Sequence, residues 1–157
     1  MSQWRPLTTN LLLGGGALIL VALVASYILN NFQPTTEVRL SSGIFHVQLA
    51  TTKAEREKGL SGVEQLDQNG GLLMVFDTLD EGSIWMKDMK IPIDVVWLDQ
   101  DKEVIYTAAN LSPDLGISKI FRPKEPAMYI LEVPAGTIKN SAIKKGDTAT
   151  FIIEERQ

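Results

Sequence analysis

The sequence predicts a mainly β fold, a small antiparallel barrel or sandwich of about eight short strands with one or two short helices. One amino-terminal transmembrane helix is expected to precede it. Three observations predict this. A charge-free apolar run, Leu11 to Leu29, lies near the start. Short apolar or alternating segments then recur to the carboxyl end, separated by turn residues. Only one segment, around Thr52 to Gly59, carries a full set of helix start and stop signals.

Bulk properties exclude several functions. The 157 residues suffice for one compact domain and an appendage. There is no cysteine, which removes disulfides, thiolate zinc sites and cysteine nucleophiles. The single histidine, His46, leaves multi-histidine metal sites without parts. A net charge of −4 offers no basic footprint, so no nucleic-acid partner is expected.

No charge falls between Arg5 and Glu37. At ~1.5 Å per residue, a helix over residues 11–29 nearly matches the ~30 Å hydrocarbon core. Trp4 and Tyr27 bracket the run as interfacial aromatics do. Arg5, the one flanking charge, favours residues 1–10 as a tail inside and the remainder outside. The expected location is therefore the cell membrane, single-pass, with an extracytoplasmic carboxy-terminal domain. Val24-Ala25-Ser26 also resembles a cleavage site, and the alternative is a secreted protein. Residues 30–36, with Pro34, read as a linker, and residues 37–154 as the outer domain.

Within that domain, Glu37 to Leu40 and Ile44 to Leu49 flank Ser41-Ser42-Gly43 and read as a hairpin. Alternation places Ile44, His46 and Gln48 on the wetter face. Thr52 with Glu55 fits a capping box, and Gly59 a helix stop. The charge run between them reads as a solvated face, with Ala54, the stem of Lys58 and Leu60 turned inward. Gly70 to Phe76 is a buried strand by length, and Ser83 to Met86 a further short one. Asp94 to Leu98 and Glu103 to Leu111 form a hairpin about the Asp99–Lys102 turn. Ser112 to Pro126 is a long loop, and Ala127 to Val133 a strand. A short helix is expected between Gly136 and Lys144, then a Lys145-Gly146-Asp147 turn and a last strand, Thr148 to Ile153.

Five phrases, TKAEREKGL (52–60), GLLMVF (71–76), WMKDMKIPID (85–94), LEVPAG (131–136) and KGD (145–147), occur in this order. Together they resemble the domain of unknown function 192 (DUF192) family, over roughly Val38 to Ile153. The resemblance implies a mainly β domain with a short helix, and no settled activity, cofactor or catalytic residue. The family commonly has asparagine where this chain has Asp88.

The chemistry centres on Trp85 to Asp94, where charges thread an apolar run. Pro92 forces an extended neighbour, so Lys87 to Pro92 reads as a loop. Asp94 is expected to fix its shape by accepting backbone amides or pairing with Lys87 or Lys90. The functional alternative is a ligand-binding site of Trp85, Met86, Lys87, Asp88 and Asp94, mixing apolar contact with orienting polar groups. It suits a small polar ligand, an envelope glycan or a partner protein, and the domain is expected to be a non-catalytic binding module. A competing reading is a hydrolase using Asp88, Asp94 and Glu132, whose carboxyls would have to converge on one cleft. A third is a purely structural envelope protein. Met86 and Met89 would supply copper(I) ligands only if both sulfurs were exposed; core filling is the commoner use, and neither metal nor cofactor is expected.

Overall fold

The computed structural model describes residues 19–24, 26, 35–80 and 82–153. The chain divides between residues 33 and 34 into two units. Of the first, residues 19–24 and 26 are helical, and Ile19, Leu20, Val21, Leu23 and Val24 are exposed. Among the described residues no helix is long and apolar enough to cross a membrane. The remainder of the expected span 11–29, the tail 1–10 and residues 30–34 of the linker lie outside the described residues.

The second unit is built on one six-stranded sheet. Its strands are β1 (Thr35–Leu40), β2 (Gly43–Ala50), β3 (Gly70–Asp80), β4 (Ile93–Leu98), β5 (Val104–Leu111) and β6 (Ala127–Pro134), in spatial order β1-β2-β3-β6-β4-β5. The fold is mainly β as expected, but an open six-stranded sheet replaces the expected antiparallel barrel or sandwich of about eight strands. The two missing strands are extended segments that make only isolated bridges, Ile84 with Phe121, and Thr148 and Thr150 with Glu103 and Arg39. The last two bridges tie one carboxy-terminal segment to β1 and to the entry of β5, at opposite edges of the sheet. The pairing is not wholly antiparallel either. β2 and β3 run parallel, because the chain between them carries helix α1 (Lys53–Lys58) and so crosses over rather than turning back.

Both faces of the sheet are covered. On one, Met74, Val95, Trp97 and Ile130 pack with Met86 and Leu60 from the loops. On the other, Phe45, Val47, Val96, Leu131 and Val133 pack with Ile143 and Phe151. Hence β4 is buried at every position, a run rather than an alternation. β2 sits further out, and His46 lies on its exposed face, as the alternation predicts.

Helix α1 has the predicted capping box: the Thr52 side chain accepts from Glu55 N–H, and the Glu55 carboxylate accepts from Thr52 N–H. Gly59 ends it at φ 51°, ψ −137°, where a Cβ is strained. The charge run is a solvated face as expected, with no residue of the helix buried, and Leu60 turns inward, but Lys58 is exposed and the rest of the inward set differs. Ala54 is exposed, and the inward group is Arg56. Its guanidinium donates to the carbonyls of Thr51 and Val75 and lies 4.9 Å from the centre of the Phe76 ring, docking α1 on β3.

Candidate functional site

A cavity of about 520 Å³ opens on the Trp97 face of the sheet. Helix α1 and its exit give one wall through Arg56, Lys58, Gly59 and Leu60. β3 contributes Met74 and Phe76, and the loops contribute Ile84, Trp85, Met89 and Ile120. The volume falls within the range of small-molecule sites.

Glu132 of β6 also lines the cavity. Its neighbours across the sheet are Leu72 on β3 and Val95 on β4, so its side chain shares their apolar face. It is only 4% exposed, and its Oε2 is buried with no hydrogen-bond partner among the described residues. Burial pushes the carboxyl up from its ordinary 4.5 to about 7, and the Leu60 backbone N–H pulls weakly the other way. Close above it lies the exit of α1: a Cβ built on Gly59 would stand 3.6 Å from Oε2 and 3.3 Å from the Met74 methyl. From below, the close packing of β3 fixes the Glu132 backbone, because a Cβ on Gly71 would come within 2.3 Å of the Glu132 carbonyl oxygen.

Of the predicted binding residues, Trp85 alone lines this cavity, and it is 48% exposed. The bridge at Ile84 sets a period of two, which turns Ile84 and Met86 inward and Trp85 outward. Met86 is therefore core, fully buried, and with Met89 also buried the exposed copper(I) pair is absent. Lys87 and Asp88 are exposed and engage through their carbonyls, which accept from the Ser61 hydroxyl and the Gly62 N–H. Asp88 sits at φ 57°, a conformation that asparagine and aspartate tolerate best. The family's asparagine there thus has a backbone reason, and aspartate meets it equally.

Asp94 is not a ligand group in this geometry. It is fully buried, and its two oxygens each accept a backbone N–H at 2.7 Å, from Asn110 and from Ile138. The first closes the bulge in the β4–β5 ladder, where register shifts between Ile93 and Val95. The second caps α2 (Thr137–Asn140), whose own N-cap residue is Gly136 and has no side chain to do so. Neither Lys87 nor Lys90 takes part in these bonds. Asp94 packs opposite Val133 and Glu132 opposite Val95, on the two faces of the sheet. The converging-carboxylate arrangement of Asp88, Asp94 and Glu132 is therefore not formed.

Sequence reasoning missed Arg56, Leu60, Met74 and Phe76 as site residues. The one available signal was Glu132 inside the apolar run Tyr129 to Val133.

The DUF192 family model, described as an uncharacterized ACR, matches residues 36–151. UPF0127 proteins of Thermococcus gammatolerans and Thermococcus kodakarensis are each 31% identical to the chain, over 114 and 115 residues. These matches cover 71% of this chain and 70% and 68% of the relatives. Among solved structures, a candidate transcription regulator from Sinorhizobium meliloti aligns with TM-score 0.72 at 27% identity, covering 76% of this chain and 95% of that one. A protein of unknown function from Novosphingobium aromaticivorans aligns with TM-score 0.69 at 28% identity, covering 75% and 84%.

Proposed function

The chain belongs to the DUF192 family, and on that premise we propose that its β domain is a non-catalytic module that binds a small ligand in the cavity over Glu132, held at the outer face of a membrane by residues 11–29. The observation that carries the binding reading is the buried, unpartnered Oε2 of Glu132 beside an open cavity. A polar atom so placed costs about 1–3 kcal/mol unless something donates to it. Four of the five phrases that carry the family resemblance meet at this cavity: Arg56 to Leu60, Met74 with Phe76, Trp85 with Met89, and Glu132. Transcription regulation, named for the Sinorhizobium meliloti structure, finds no support in a chain of net charge −4.

Exposed Trp85 supplies aromatic area at the mouth. Trp85→Ala is expected to weaken ligand binding about tenfold or more while changing stability by no more than about 0.5 kcal/mol. The check is a fragment library screened by NMR on the full chain, followed by urea unfolding of the variant. Ligand-induced shifts should cluster at Met74, Trp85 and Glu132. An unfolded variant would place Trp85 in the core, and shifts confined to another surface would move the site.

The anchor rests on the charge-free run Leu11 to Leu29 and on Arg5 before it. Full-length protein is expected to stay with membranes through high-salt and carbonate washes. Its recovery from the soluble fraction without detergent would contradict the anchor.

A further inference from the structure

From the same cavity, we infer that the ligand is an amino-terminated zwitterion, with a protonated amine on Glu132, a short apolar stem, and an anionic group at the rim. This rests on the binding reading above and adds the ligand's chemistry. The inner end is set by Glu132: Oε2 is an acceptor with no donor, and a carboxyl there is best satisfied by a donor that also carries positive charge. The stem is set by the apolar walls of Leu60, Met74, Ile84 and Met89. The Met74 methyl and Oε2 both lie close to Gly59, 3.3 Å and 3.6 Å from where its Cβ would stand, so the stem's flexible methionine neighbour sits at the inner end.

The outer end is set by helix α1. Among the described residues, the charged groups lining the cavity besides Glu132 are Lys53, Arg56, Glu57 and Lys58, three cations against one anion, all on that helix. Lys53 pairs with Glu57 at 3.7 Å. Arg56 is committed to the Thr51 and Val75 carbonyls. Lys58 stands exposed at the mouth. A simple alkylamine would meet repulsion there, and a carboxylate at the far end relieves it.

The test compares 6-aminohexanoate, hexylamine, hexanoate and 1-hexanol by NMR titration of the full chain in non-ionic detergent, at pH 6 and pH 8. The expected order places 6-aminohexanoate first. Its affinity should rise about tenfold from pH 6 to pH 8, as Glu132 loses its proton while the amine keeps its own. Glu132→Gln should weaken it about 10- to 100-fold. Lys58→Glu, an exposed change that leaves the fold alone, should weaken 6-aminohexanoate but not hexylamine. If hexanoate or hexanol binds the cavity as well or better, or if affinity falls with pH, the zwitterion is wrong and the binding site stands. If none of the four perturbs Met74, Trp85 or Glu132 while the fragment library does, the ligand class is likewise wrong. If nothing perturbs them, the binding reading fails with it.

Discussion

Asp94→Ala is expected to destabilise the domain by about 3–6 kcal/mol, enough to unfold much of it at room temperature. Two hydrogen bonds to a buried charge vanish at once, each worth about 1.5–3 kcal/mol. The Asn110 and Ile138 N–H groups lose the acceptor that Asp94, itself fully buried, supplies. The loss is also topological. Asn110 sits at φ 53° in the β4–β5 bulge, and Ile138 lies in the first turn of α2, so one carboxylate holds two irregular pieces of backbone against the sheet. Asp94→Asn keeps one acceptor but turns an NH₂ toward an N–H, and should lose roughly half as much. Urea unfolding followed by tryptophan fluorescence measures both. A cost below about 1 kcal/mol for the alanine variant would mean that water replaces the carboxylate and that the site is open.

The second large effect is on stability against pH. Glu132 titrates near 7 in the folded protein and near 4.5 when unfolded, so between those values the folded state holds more protons. Stability must then fall as pH rises through that window. Its contribution is fully present below about pH 4.5, is lost progressively on the way to pH 7, and is flat beyond. At ~1.4 kcal/mol per pH unit the full loss is about 3 kcal/mol. Glu132→Gln removes the slope, and the two proteins should converge at low pH. At the acid end the opposite trend begins, because Asp147 is held down near 2 by Lys144 and by the Ser41 hydroxyl, and its contribution is lost as pH falls through that value. Denaturation profiles from pH 2 to pH 9 check both trends, the Asp147 contribution being lost between about pH 4 and pH 2. Wild-type stability rising between pH 5 and pH 7.5 would contradict the buried carboxyl with its unpartnered Oε2.

Local signals were legible in the sequence where structure is locally decided. The Thr52–Glu55 capping box, the outward His46 and the β4–β5 hairpin all depend on residues within a turn or a strand of one another. The strand count was not legible. Ser83 to Met86 and Thr148 to Ile153 have the right alternation, but a strand also needs a partner in register, and these segments find only isolated bridges. The parallel β2–β3 pair was missed because its crossover holds a helix of only six residues. Asp94 accepts backbone amides, one of the two roles expected of it, but not from the Lys87–Pro92 loop that it was expected to fix, and it pairs with neither lysine. Its partners, 16 and 44 residues away, could not be named from spacing.

The site itself was half legible. Trp85 stood out as an aromatic beside a proline-bent loop, and Glu132 as an acid in an apolar strand. Nothing in the sequence could tell that β6 turns Glu132 toward the Trp97 face while β4 turns Asp94 to the other, because facing depends on the register of β4 against β6. That register separates the two carboxyls, and so favours one acceptor in a ligand cavity over a catalytic pair.

The most direct measurement is the carbon-13 NMR signal of the Glu132 side-chain carboxyl followed across pH, alone and with 6-aminohexanoate. The expected midpoint is about 7 for the protein alone, moving clearly lower once the amine occupies the cavity. A midpoint near 4.5 that ignores the added compound would mean a solvated carboxyl with no ligand to meet.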